Sequence, residues 1–213
     1  MKGFLLEEKY ILEYIKDMIA EYKIKSIEIN DAKYHHNTSY FDAPLVLRHG
    51  ILSLSELNKL GIKKSSSEIL KVMDDTDSHA NGIDSISLSV VGLKDIDKNG
   101  FEHDPFNPSK VDLNISSDIK ARRSTTNYEN EFLCYKNIAV DKIKSIDIRL
   151  LKLIEMDRKN YSIKDIIDRY NSLKDIALQL KLSNLDIPLR EMSNGNLTMD
   201  VDKVFSTPKL ILK

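Results

Sequence analysis

Hydrophobic and polar positions follow two different periods along this chain, and the switches between them divide it. Residues 4–22 place Leu5, Ile11, Leu12, Ile15, Met18, Ile19 and Tyr22 at helical spacing, with Glu and Lys between them. That is the pattern of an amphipathic helix with one face turned to a core. A short β-prone run follows at 24–29, and then a polar segment without helical period, 31–39 (DAKYHHNTS). Residues 43–52 read as a short helix ending at His49-Gly50, where Gly50 supplies a left-handed cap. Residues 53–60 read as another, capped by Ser53 or Ser55 and stopped by Gly61. Residues 66–74 read as a third.

The period then becomes two. Residues 82–91 (GIDSISLSVV) alternate and are rich in β-branched side chains, which predicts a strand. Residues 92–109 carry Gly92, Asn99-Gly100, Pro105 and Pro108 and read as loop. Lys110–Ser116 (KVDLNIS) predicts a second strand, Glu131–Cys134 a third, and 142–150 (KIKSIDIRL) a fourth. From Leu151 the pattern is helical again. Ser162 caps a helix reaching about Leu182, with Ile163, Ile166, Ile167, Tyr170, Leu173, Ile176, Ala177 and Leu180 on its inner side. The tail beyond, with Pro188, Asn194-Gly195 and Pro208, is expected to be irregular. Mixed strands after a helical block indicate an α+β class and not an alternating βαβ one.

Composition narrows this picture. The chain of 213 residues is 41 % hydrophobic, enough for a real core in one domain with a helical extension. Its 32 basic and 33 acidic residues leave a net charge of −1, so only a local patch could attract nucleic acid. Cys134 is the single cysteine, which excludes an internal disulfide and suits a reducing compartment. The N-terminus is acidic where a signal peptide is apolar. No run approaches the roughly 18 apolar residues of a membrane span. A soluble, cytoplasmic protein without membrane partners is expected.

Three segments hold the candidate chemistry: Tyr34-His35-His36-Asn37-Thr38-Ser39 with Leu47-Arg48-His49-Gly50-Ile51-Leu52 after it; Ile86-Ser87-Leu88-Ser89-Val90; and Asn127-Tyr128-Glu129-Asn130-Glu131-Phe132-Leu133 with Ile138 and 142–148 after it. In this order they resemble the ADP-ribosyltransferase fold, in the branch with a histidine on the first strand. The DarT-type toxins that modify DNA are the nearest in flavour, and RNA 2′-phosphotransferases are cousins. The resemblance covers roughly residues 31–150. It implies two small packed sheets forming an NAD-binding cleft, flanked by N- and C-terminal helices. Residues 1–30 would form a helix and strand packed on the core, 31–150 the core, and 151–213 a helical extension and tail.

The resemblance also assigns roles. Cleaving the nicotinamide–ribose bond of NAD passes through an oxocarbenium-like centre, which a nearby carboxylate stabilises. That role falls to Glu131. Glu129, two residues earlier, shares its side of an extended chain and would engage the acceptor. The Glu-x-Glu pair resembles the arginine-modifying branch instead, so the acceptor stays open between nucleic acid and protein. His36 would hydrogen-bond the adenosine ribose with Thr38 beside it, and His35 is the competing register. Ser87 or Ser89 would support Glu131 or the nicotinamide ribose. Tyr40 or Phe41 would stack on nicotinamide. Arg122 and Arg123, with Lys120, would meet acceptor phosphates.

The resulting expectation is a mono-ADP-ribosyltransferase using NAD as co-substrate, in the setting of a bacterial or phage toxin or defence protein with an antitoxin or other partner. An RNA 2′-phosphotransferase, gripping phosphate through Arg48, Arg122 and Arg123, is the alternative. A non-catalytic binding or regulatory module is another. Ordinary structural roles compete with each assignment, since serines alternate on any strand face and paired arginines stud many loops. His49 before Gly50 suits a helix C-terminus, and Cys134 reads as a small buried hydrophobe. Asp95-Ile96-Asp97-Lys98-Asn99-Gly100 begins like a calcium loop, but position twelve is Phe106, so a polar turn is expected. His79 and His103 lack partners at zinc spacing, so no metal site is expected.

Overall fold

The computed structural model describes residues 2–29, 31–62, 84–91, 95–96, 102–103, 108–124, 130–156, 161–193 and 197–211. Helix α1 (Lys2–Tyr22) leads into β1 (Lys23–Ser26) and β2 (Ala32–Ser39). Two short helices follow, α2 (Ala43–His49) and α3 (Leu54–Lys59). The strands β3 (Ile86–Val90), β4 (Asp95–Ile96), β5 (Glu102–His103), β6 (Lys110–Ser116), β7 (Arg122–Arg123), β8 (Glu131–Cys134) and β9 (Ile143–Ile148) come next. The chain closes with α4 (Leu150–Glu155), α5 (Ile163–Leu182), β10 (Leu189–Glu191), β11 (Leu197–Met199) and α6 (Val201–Ser206).

The architecture is α+β, but the strands do not divide into two small packed sheets. Among the described residues they form one nine-stranded sheet in the order β1-β11-β10-β9-β6-β2-β3-β8-β7, and β4 pairs with β5 in a separate ribbon. Every pairing in the large sheet is antiparallel except β9 with β10. That parallel pair is bridged by α4 and α5, the long crossover a parallel connection requires. The segments flanking 31–150 thus supply β1, β10 and β11 to the sheet that carries the candidate site.

The predicted elements recur where local rules are strong. Ser162 and Asp165 form a reciprocal capping box at the start of α5, which satisfies helix donors that would otherwise lack partners. Ser53 caps α3, and Gly61 follows it with φ 66°. Two expectations fail. The tail is not irregular, because three-residue strands are too short to show alternation yet pair with β9 and with each other. The stretch 92–109 is not wholly loop, since it contributes the β4–β5 ribbon. The third helix predicted at 66–74 and the turn at Asp97–Gly100 lie outside the described residues.

One hydrophobic core joins the layers. Leu12, Ile15, Ile19 and Tyr22 of α1 meet Ile166, Tyr170, Leu173, Ile176 and Ala177 of α5. Val111, Leu113 and Ile115 of β6 and Ile146 and Ile148 of β9 belong to the same cluster. Each such side chain contributes about 1.5–3 kcal/mol by leaving water. Among the described residues no helix is long and apolar enough to cross a membrane.

Candidate active site

The pairing of β2 with β3 is short: Tyr34 faces Val90 and His35 faces Ser89. The pairing of β3 with β8 continues further, from Ser89 opposite Glu131 to Ile86 opposite Cys134. Past His35, a side chain of β2 bridges to β3 instead of the backbone. His36 Nδ1 lies 2.9 Å from the Ser87 carbonyl oxygen. A carbonyl only accepts, so Nδ1 carries the hydrogen and donates; in the neutral ring Nε2 then holds a lone pair. The hydroxyl of the same serine donates to Glu131 Oε1 at 2.7 Å. His36, Ser87 and Glu131 therefore form one hydrogen-bonded chain across three adjacent strands.

A cavity of 30 Å³ lies beside His36. It is lined by Thr38 of β2, by Asp42, Leu45, Val46 and His49 at α2, and by Gly50, Ile51 and Leu52 beyond that helix. Gly50 has φ 82° and ψ −178°, a conformation nearly confined to glycine. Its neighbour Ile51 exchanges two backbone hydrogen bonds with Ile138, both 2.9 Å. That bridge fixes the wall of the cavity to the segment leaving β8. Asp42 precedes α2 without capping it, and instead its Oδ2 accepts from Ser39 Oγ at 2.7 Å.

His35 faces elsewhere. It is buried, with Nδ1 3.0 Å from Asp112 Oδ1, so the competing register does not bring it to the cavity. Burial raises the Asp112 carboxyl above the ordinary range, and the hydrogen bond from His35 offsets part of that rise. Register places Glu131, Ser89, His35, Asn114 and Ser145 in direct cross-strand succession over β8, β3, β2, β6 and β9. The stripe then runs into a charged cluster. Asn114 Nδ2 donates to Ser145 Oγ at 2.7 Å and to Asp147 Oδ2 at 2.8 Å. Arg190 grips Asp147 through Nε at 2.7 Å and Nη2 at 2.5 Å. Glu131 is the half-buried outer end of this polar stripe.

Arg122 and Arg123 form the exposed edge strand β7 beside β8, opposite Leu133 and Phe132. The Ser124 N–H donates to the Glu131 carbonyl at 2.8 Å, so this basic strand adjoins the strand of the candidate carboxylate. Glu129 lies outside the described residues. Arg48 does not join the arginine pair, because its Nη2 donates to Gln179 Oε1 of α5 at 3.1 Å. Tyr40 is buried and Phe41 exposed, so only the latter retains a free face for stacking. Cys134 is buried. Among the described residues no group of three His, Cys, Asp or Glu side chains could hold a metal ion. Sequence reasoning missed Asp42 and took His49 as purely structural. It also gave no sign that Asp112 and Asn114 are buried, because alternation marks a strand without saying what covers its polar side.

No protein-family model matches the chain, and no curated protein sequence shows significant similarity to it.

Proposed function

We propose that this protein is a mono-ADP-ribosyltransferase that cleaves NAD and passes ADP-ribose to an acceptor. The observation that carries the reading is the double use of Ser87: its carbonyl holds the His36 ring and its hydroxyl holds the Glu131 carboxylate. An imidazole suited to a ribose diol and a carboxylate suited to a cationic sugar are thereby tied to one residue of the strand between them, the first through its backbone and the second through its side chain. The bond between C1′ of the ribose and the nicotinamide nitrogen breaks, and nicotinamide leaves with the bonding electrons. Glu131 holds the 2′-hydroxyl of that ribose and stabilises the positive charge developing at C1′. An acceptor nucleophile then bonds to C1′. Arg122 and Arg123 adjoin this position and favour an acceptor bearing phosphate, as in a nucleic acid. A bacterial or phage toxin or defence protein, held in check by an antitoxin in the cytoplasm, is the setting that this resemblance suggests.

The separation of Arg48 from Arg122 and Arg123 weighs against a 2′-phosphotransferase, which needs its cations around one phosphate. The test is incubation of the purified protein with labelled NAD and DNA, RNA or protein, for the wild type and Glu131→Gln. Release of nicotinamide should fall about 100- to 1,000-fold in the variant, the usual cost of one preorganised electrostatic group. Equal turnover by the two proteins would end the proposal.

A further inference from the structure

A larger cavity lies toward the end of the sheet remote from Glu131. Its volume is 840 Å³, within the range of about 300–1,000 Å³ that encloses a small organic ligand. Ile24 of β1, Met199 of β11 and Leu189 of β10 line it, with Leu180 and Leu185 from the end of α5. Glu131 stands on β8, at the other end of the strand order. Backbone bonds hold the α5 side of the lining. Asn184 has φ 48°, the Leu185 N–H donates to the Leu180 carbonyl at 2.9 Å, and the Asn184 N–H donates to the Lys181 carbonyl at 3.1 Å. That pair of bonds around a left-handed residue is the Schellman closure of a helix. It fixes where Leu180 and Leu185 enter the lining, so the apolar concavity is built in and does not wait for a ligand.

The charges of the described lining are unequal: Lys181 against Asp186, Asp200 and Asp202. Lys181 is ion-paired with Asp202, which leaves two carboxylates in excess. Asp200 caps α6 by accepting from the N–H groups of Asp202 and Lys203, and so offsets the positive end of that short helix. The C-terminal end of the 20-residue α5 adds partial negative charge of its own. Apolar walls under a negative rim are complementary to a cation on an apolar body. Lys23 and Lys25 of the edge strand β1 oppose the addition of a partner strand, so the concavity is left to a small molecule. We propose that this cavity is a binding site for a small organic cation, an amine carried on an apolar ring or chain. The site is separate from the candidate active site, and the inference does not rest on the transferase reading.

The experiment uses two probes, naphthylmethylamine and naphthoate, which share an apolar ring and carry opposite charges. Each is titrated into the full chain and followed by backbone amide chemical shifts. The amine should bind about tenfold more tightly than the carboxylate, with shifts centred on 184–189 and 198–202. Asp186 is exposed, so Asp186→Lys keeps the fold. That variant should bind the amine about tenfold more weakly and lose or reverse the preference. Equal binding of the two probes, tighter binding of naphthoate, shifts centred elsewhere, or binding of neither probe overturns the proposal. An unchanged preference in Asp186→Lys overturns it as well. Self-association of the unliganded protein that perturbs the same amides gives the cavity to a second copy, which is also a refutation. None of these outcomes bears on NAD cleavage.

Discussion

Gly50→Ala tests whether the cavity wall is held by a backbone position that only glycine fills. A methyl group built on Gly50 overlaps the Ile138 carbonyl oxygen and lies 3.3 Å from the carbonyl carbon. That oxygen accepts the Ile51 N–H, half of the bridge between the two segments. Both partners are core residues, Ile51 at 2 % and Ile138 at 1 % exposure, so water cannot replace a broken bond. The positive φ costs about 1–3 kcal/mol for a residue with a Cβ. Displacing the bridge forfeits two backbone hydrogen bonds of about 1 kcal/mol each. The expected loss is therefore about 3–5 kcal/mol, read from equilibrium urea unfolding monitored by circular dichroism. Gly61→Ala is the control. Gly61 also has positive φ, 66°, but nothing lies within 4 Å of an added Cβ, so only strain of about 1–2 kcal/mol remains. If Gly50→Ala costs no more than Gly61→Ala, the close approach to Ile138 has no energetic weight and the reasoning fails.

Ser87→Ala removes the hydroxyl that holds Glu131 while leaving the carbonyl that holds His36. NAD cleavage should fall about tenfold, as for one hydrogen bond to a charged group, with unfolding unchanged and with rescue by threonine; a silent variant would detach Ser87 from the carboxylate's positioning. Glu191 is fully buried and accepts from the N–H groups of Leu150 and Ser193, yet burial outweighs them and lifts its carboxyl above 4.5. The folded state thus holds that proton more tightly than the unfolded chain, so its contribution is complete below pH 4.5 and is lost as pH rises through the raised value. The stability of the wild type relative to Glu191→Gln should decline over that range in urea titrations, and a pH-independent difference would contradict the assignment.

How far the sequence foretold the fold depends on the range of the interaction. The boundaries of β6 and β8 and the N-terminal cap of α5 were legible because alternation and a Ser-x-x-Asp box act within a few residues. The strands β10 and β11 were not, since each spans three residues and forms through partners distant in the chain. The single nine-stranded sheet was equally hidden, because strand order is set by pairing between segments and not by any one of them. In the site, the segments bearing His36, Ser87 and Glu131 were named from their order alone. Which of two adjacent histidines faces the cavity was not legible, because it depends on register. Asp42 escaped notice because its place in the cavity lining beside His36 comes from tertiary packing, which no local pattern encodes.

The buried polar stripe bears on that register. Side chains alternate along β2, so a slip of one residue would send His36 into the interior and His35 to the cavity. The slip that brings Tyr34 to the position of His35 would leave Asp112 without an imidazole in a buried setting. Leaving a buried polar group without its hydrogen-bond partner costs about 1–3 kcal/mol. The adjoining cluster of Asn114, Asp147 and Arg190 fixes β6 against β9 and β10, so β6 offers β2 one favourable alignment. We therefore take the pair His35–Asp112 as a register lock that acts on the site from behind. His35→Leu combined with Asp112→Leu replaces both hydrogen-bond partners by apolar side chains, a change that can be nearly neutral in stability. The doubly substituted protein should still fold, yet cleave NAD more slowly although His36, Ser87 and Glu131 are all present. Undiminished cleavage would show that β2 keeps its alignment without the lock, and that the gap between β2 and β3 alone suffices to present His36.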